Sequence, residues 1–525
     1  MSLEQLLAVA KSRSGLGLAA LALLFAVQIS PNLYPSVDGC LYLKTVSDFL
    51  SAERLADFCC LVPPGYPVLI APAFLFGDRP FLAVSILNWL LAVATIGGVY
   101  VWARRLMPTG ALLLTTAVAV NISLWTFYRR PTKEIATLAF LMWTVNAMQA
   151  LLNERRASRV IWLTAAVAFL TTYLVLIRYA AITLAVAFTV AAALLVRRGV
   201  LRPARAVGMS AVVCVVSVSA LVAWLAYDRT HGTGGTYIEA LVAIYHRPST
   251  ADSQAQEANQ ADEDRQNFDS PRDRHFTRAA LYRMNDLSCL TVPGLWQGSS
   301  HAAEGIGIST ILGAIVLGVL ALGWWRISSR QIDVLAILLP IYLLLYAHWD
   351  CAQPGGRFLL PMLPIILACV GSGLIAILRP AAPLGVRRWQ TPLAAVYLLA
   401  HLGQSAGYWL LIDAPRAREC QQHLPLADRL AGKIQKHPGY VAVAPSLERL
   451  CNGLWLDLDF KRVRMLQRTP QRRVEWIVDA AGSEPIDGFC LEWVDGPVQL
   501  LHRDASAQNS PERAGQEAAT AVERH

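Results

Sequence analysis

Apolar runs separated by short polar loops fill the first 412 of the 525 residues. They fall near 15–30, 80–103, 110–127, 134–152, 160–176, 180–196, 206–226, 306–325, 332–348, 358–378 and 391–412. Each approaches the roughly 20 apolar residues that carry a helix across about 30 Å of hydrocarbon. The pattern predicts a mainly α chain, a polytopic transmembrane helix bundle of about eleven spans. The stretch 160–196 is broken only by Arg178, so two spans are expected to meet there.

Two polar segments interrupt the series, the outer loops 31–79 and 227–305. In the first, residues 41–55 place apolar side chains near helical spacing, with Lys44, Asp48, Glu53 and Arg54 on the other face. That predicts an amphipathic helix lying on the surface. In the second, residues 249–274 are rich in Asp, Glu, Gln, Asn and Arg without apolar periodicity, so no folded element is expected. From Asp413 onward the composition is soluble. Helical periodicity over 426–436 and 446–454, with β-type runs at 440–444, 473–478 and 488–493, predicts a small α/β domain outside the membrane. The expected division is a transmembrane unit at 1–412, that domain at 413–504 and a disordered tail at 505–525.

Composition agrees with the runs. Hydrophobic residues make up 55% of the chain and charged residues 16%, with a mean hydropathy of +0.41. Soluble domains carry roughly 25% charged residues. The formal charge of +9 would suggest nucleic acid until the charges are placed. Most of the excess lies in short interhelical loops: Arg104 and Arg105; Arg155, Arg156 and Arg159; Arg197, Arg198, Arg202 and Arg205; Arg326 and Arg330; Arg379, Arg387 and Arg388. Every second loop is basic, which is the positive-inside pattern. It predicts a multi-pass protein of the inner or plasma membrane with a cytoplasmic N-terminus, an extracytoplasmic C-terminus and no nucleic-acid partner. Lys11 and Arg13 also resemble the flank of a signal peptide, but no small-x-small cleavage site follows.

Eight of the ten cysteines map to the outer side, where disulfides are permitted; Cys214 and Cys369 fall in spans as small apolar fillers. The pairs to test are Cys40 with Cys59 or Cys60, and Cys451 with Cys490. No Cys-x-x-Cys or His-x-x-x-His spacing marks a metal site, and neither metal nor other cofactor is expected.

Candidate chemistry gathers on the outer face. Asp38 follows the first span, and the loop returns through Pro63-Pro64-Gly65-Tyr66-Pro67. The short turn Arg129-Arg130-Pro131-Thr132-Lys133-Glu134 sets three cations where the charge rule disfavours them. Thr132 is placed to cap the next helix, and Glu134 to meet its N-terminal dipole. Arg178 needs an anionic partner, for which a protein carboxylate or a ligand phosphate would each serve. The ninth span ends in His348-Trp349-Asp350, and Gly355-Gly356-Arg357-Phe358 follows, with Arg357 at a helix N-terminus. Clustered cations beside carboxylates at this level suggest an anionic headgroup from the outer leaflet, since the planar arginine fork suits phosphate.

These features, in this order and sidedness, resemble the GT-C superfamily of integral membrane glycosyltransferases, near the protein O-mannosyltransferases and lipid A aminoarabinose transferases. The residues carrying the resemblance are Asp38, the Pro63 to Pro67 return, Arg130 to Glu134, Arg178-Tyr179, and Gly356-Arg357-Phe358 leading into Pro361 and Pro364. Gly39 stands where many relatives have a second acid. The resemblance implies transfer of a hexosyl or pentosyl unit from a polyprenyl-phosphate donor to a glycan, lipid or protein acceptor outside the cytoplasm, with inversion. In that scheme Asp38 acts as general base with Glu134 also catalytic. Arg129, Arg130, Lys133, Arg178 and Arg357 bind the donor phosphate, and Tyr42, Tyr66 and Asp350 line the pocket. The competing classes are a lipid-linked glycan transporter or flippase, which lacks the matching halves and mid-membrane sites it would need, and a non-catalytic scaffold, which leaves the displaced cations unexplained.

Overall fold

The computed structural model describes residues 13–31, 37–51, 62–77, 80–231, 276–293, 295, 308–348, 356–378, 386–434, 440–443, 463–465, 474–480, 489–495 and 498–503. The expectations for 249–274, 446–454 and 505–525, and for Cys59, Cys60, Asp350 and Cys451, lie outside these residues. The chain divides into two compact units. One holds Met1–Leu33, Thr45–Arg247 and Ser270–Pro415; the other holds Tyr34–Lys44, Pro248–Asp269 and Arg416–His525.

The larger unit is a helix bundle. Among the described residues, seven helices are long and apolar enough to cross a membrane: Phe81–Leu106, Lys133–Asn153, Ala157–Ile177, Tyr179–Arg197, Pro203–Thr230, Ile308–Arg330 and Arg357–Leu378. An eighth crossing is made if Ala111–Ala119 and Ile122–Tyr128, bent by 53°, are one span. The run at 110–127 is therefore a broken helix and not a straight one. Asn121 restarts it: its side chain accepts from Ser123 N–H at 3.0 Å as an N-cap. Helices Arg13–Ala26 and Val334–His348 are shorter. Large apolar side chains face outward along the bundle, among them Trp162, Phe169, Val215, Ile308 and Leu399, as a bilayer-facing surface requires. The protein is embedded in a membrane.

Lys133–Asn153 lies at the heart of this bundle. Of its apolar window 72% is buried, against 28% for Ile308–Arg330. It packs on Phe81–Leu106 on one side and Ala157–Ile177 on another. Its first turn carries Lys133 and Glu134, so these charges start at the end of the best-covered helix. At another helix start, Asp333 caps Val334–His348 through Leu335 and Ala336 N–H (3.0 and 3.1 Å) and accepts Trp102 Nε1–H at 3.1 Å.

In the second unit, helix Ala414–Ile434 begins twelve residues before the expected one and sets Leu426, Ala427, Leu430, Ala431 and Ile434 against Val441, Val443, Val478, Val498 and Leu500 of a sheet. The strands are β1 Tyr440–Val443, β2 Val463–Met465, β3 Val474–Ala480, β4 Phe489–Asp495 and β5 Val498–Arg503. Their order is β2-β1-β3-β5-β4, parallel across the first three and antiparallel thereafter. β2 and β5 were not expected from the sequence pattern.

Candidate active site

A buried side chain ties down the turn from Tyr128 to Lys133. Asn88, wholly buried in the Phe81–Leu106 helix, donates from Nδ2 to the carbonyls of Tyr128 (2.9 Å) and Arg130 (3.0 Å). Thr132 stands at the N-cap position with extended backbone, but its hydroxyl makes no cap bond, which corrects the expected role. Glu134 follows in the first helical turn, fully buried. Arg357 Nε–H donates to Glu134 Oε1 at 2.5 Å, forming an ion pair. The charges of Arg178 and Lys133 bear on the same carboxylate. Arg357 thus pairs with the acid, and two further cations lie within its electrostatic reach.

Arg178 comes to this place because the chain breaks there. The Ala157–Ile177 helix ends at an extended Arg178 (φ −152°, ψ 110°), and a short 3₁₀ turn leads into Ile182–Arg197. The guanidinium is 7% exposed, lies over the Phe358 ring and lines a small cavity with Thr137, Leu141, Leu184, Tyr342 and Met362. Thr137, Thr183 and Tyr342 spend their hydroxyl hydrogens on backbone carbonyls. Among the described residues, Arg178 Nη1 and Glu134 Oε2 are buried without a hydrogen-bond partner. A donor left over beside an apolar cavity suits an anion that arrives with an apolar body.

The Pro63 to Pro67 return delivers Tyr66. Gly65 packs directly on the helix end before Arg178: a Cβ there would meet Ile177 N at 2.6 Å and Leu176 C at 2.7 Å. Tyr173 OH donates to Gly65 O at 2.9 Å. Only a residue without a side chain permits this approach, and it sets the buried Tyr66 within electrostatic range of Glu134.

Arg129 and Arg130 turn elsewhere. Arg129 pairs with Asp413 at 3.0 Å, both nearly buried, with Trp409 below its guanidinium at 5.9 Å. Burial pulls the Arg129 guanidinium down from its ordinary value, and Asp413 opposes that shift. Arg130 Nη2–H donates to Tyr408 OH at 3.1 Å. Asp413 ends a π-helical turn, Trp409–Asp413, after the last apolar helix. Asp38 and Tyr42 belong to the second unit, on helix Val37–Ser51; Asp38 is half-buried in its first turn and Tyr42 is buried one turn on. Tyr342, Asn88, Tyr408 and Asp413 escaped the sequence reading. A lone Asn inside an apolar run was the one legible signal among them.

No family model matches the chain, and no curated protein matches it. Among solved structures, the fold is similar to that of ArnT. The apo crystal structure of ArnT from Cupriavidus metallidurans aligns over 94% of this chain and 98% of its own, at 14% identity and a TM-score of 0.52. ArnT bound to undecaprenyl phosphate aligns at 13% identity over 94% and 99%, with a TM-score of 0.49. The Archaeoglobus fulgidus oligosaccharyltransferase in complex with Zn and sulfate aligns at 12% identity over 88% and 68%, with a TM-score of 0.47.

Proposed function

We propose that this protein is a membrane glycosyltransferase that moves a sugar from a polyprenyl-phosphate carrier to an acceptor outside the cytoplasm. The observation that carries this reading is the meeting of Arg357, Arg178 and Lys133 on one fully buried carboxylate, beside a cavity of apolar lining. The fold shared with ArnT supports it by analogy.

In this reading the acceptor hydroxyl oxygen attacks the anomeric carbon while Asp38 takes its proton. The bond from the anomeric carbon to the phosphate oxygen breaks with its electron pair going to that oxygen. The departing phosphate gains negative charge, which Arg357, Arg178 and Lys133 stabilise. A single displacement inverts the anomeric centre. Glu134, expected among the catalytic residues, here holds Arg357 in place as a positioning residue. Arg129, already paired with Asp413, is not asked to bind phosphate.

The test uses protein reconstituted in liposomes with radiolabelled polyprenyl-phosphate sugars and an extract of envelope glycans and lipids. Label is expected to move from donor to acceptor with the wild-type chain and not with Asp38→Asn at equal folded amount. Transfer by Asp38→Asn at the wild-type rate would remove Asp38 from the mechanism, and failure to turn over any lipid-phosphate sugar would remove the reading.

A further inference from the structure

One run of side chains leads away from Arg178 and, beyond that residue, is unused by the chemistry above. Arg283, on helix Phe276–Thr291, lays its guanidinium over the Tyr346 ring, Cζ to centroid 4.0 Å. The Tyr346 and Phe358 rings follow at 6.3 Å, tilted by 34°. Arg178 then stands over Phe358 at 5.1 Å. Four side chains form a stack that begins and ends in a cation.

Each step of the stack is fastened. Tyr346 OH donates to Asp286 Oδ2 at 2.6 Å, and Arg283 pairs with the same carboxylate at 3.5 Å. Tyr342, one helical turn before Tyr346 and so on the same face, donates its OH to Phe358 O at 2.7 Å. Tyr342 therefore fixes the backbone of the Gly356–Leu359 turn, and Tyr346 lies against its ring. The supporting helix is itself tied down: Leu290 O accepts from Asn121 Nδ2–H (2.8 Å) and Thr291 O from Tyr397 OH (2.9 Å). Gly313 leaves room for the Met284 carbonyl to cross the next helix. Arg178 Nη1 has no hydrogen-bond partner among the described residues, and the Phe358 face, together with the charge of Glu134, holds the guanidinium.

We infer that Tyr346 and Phe358, braced by Asp286 on the Phe276–Thr291 helix, are positioning residues that set where Arg178 and Arg357 stand to receive a lipid phosphate. The ligand in this statement rests on the proposed function; the placement of Arg178 does not. A desolvated cation–aromatic contact favours the placed guanidinium by a factor of about ten, which bounds its effect on binding.

Two readouts separate the two ideas. Phenylglyoxal labelling of Arg178, followed by peptide mass spectrometry, reports its placement without ligand, and titration with undecaprenyl phosphate in detergent micelles reports its use. Phe358→Leu is expected to raise labelling severalfold and to weaken undecaprenyl phosphate binding by about tenfold. Tyr346→Phe, which keeps the ring and loses the bond to Asp286, is expected to move both in the same direction by less. Phe358→Tyr should restore wild-type values. Phe25→Leu, in a separate aromatic group with Trp125 and Tyr128, should move neither. Unchanged labelling in Phe358→Leu, or an equal change in Phe25→Leu, overturns the inference. If Arg357→Ala leaves undecaprenyl phosphate binding at the wild-type level, the phosphate reading falls, and the labelling result still decides the positioning role.

Discussion

Glu134 carries the buried negative charge that Arg357 pairs with and that Arg178 and Lys133 act on. Taking it away breaks the pair with Arg357, and breaking a buried pair costs about 3–5 kcal/mol. Glu134→Ala is expected to lower the thermal midpoint of the purified protein strongly. Glu134→Gln still accepts from Arg357 Nε and is expected to lose much less. Equal midpoints for the two variants, read by nano-scale fluorimetry, would show that charge is not what the carboxylate supplies. The Arg129–Asp413 pair obeys the same physics. Arg129→Met and Asp413→Leu should each destabilise, and the double variant should lose less than their sum, because the two opposite charges leave together. Additive losses in the double variant would contradict this. Arg178 was legible in the sequence because a charge inside an apolar run must find an anion. Asp413 was not, because it sits where a span simply runs into soluble sequence.

Among the elements, the site depends on places where helices stop. Arg178 interrupts one pair of helices, Asn121 another, and the Tyr128 to Lys133 turn a third. Gly65→Ala drives a Cβ into the backbone of Ile177 and should push Tyr66 away from Glu134. The expected result is a folded protein with weakened binding of undecaprenyl phosphate; unchanged binding would separate the Pro63 to Pro67 return from the site. Apolar periodicity located these helices well, yet it could not see the 53° bend at Asn121, since the run continues unbroken across it. Nor did it find helix Phe276–Thr291, which follows a long aperiodic polar stretch and is held by packing on Ile308–Arg330 and by polar bonds to Asn121, Tyr346 and Tyr397. Pairing across distant sequence leaves no local pattern.

For the whole molecule, the alternating basic loops predict a cytoplasmic N-terminus and an extracytoplasmic C-terminus. A C-terminal alkaline phosphatase fusion should be active and a C-terminal green fluorescent protein fusion dark; the reverse would place the acceptor chemistry on the cytosolic side. The central claim is that a lipid phosphate is held by Lys133, Arg178 and Arg357. It is tested most directly by photo-crosslinking a polyprenyl phosphate that carries a diazirine beside its phosphate, with the labelled peptides mapped by mass spectrometry. The expected peptides are those containing Lys133-Glu134, Arg178 and Arg357, with labelling suppressed by unlabelled undecaprenyl phosphate. Label confined to the outward apolar faces of the bundle, and indifferent to that competitor, would contradict the account.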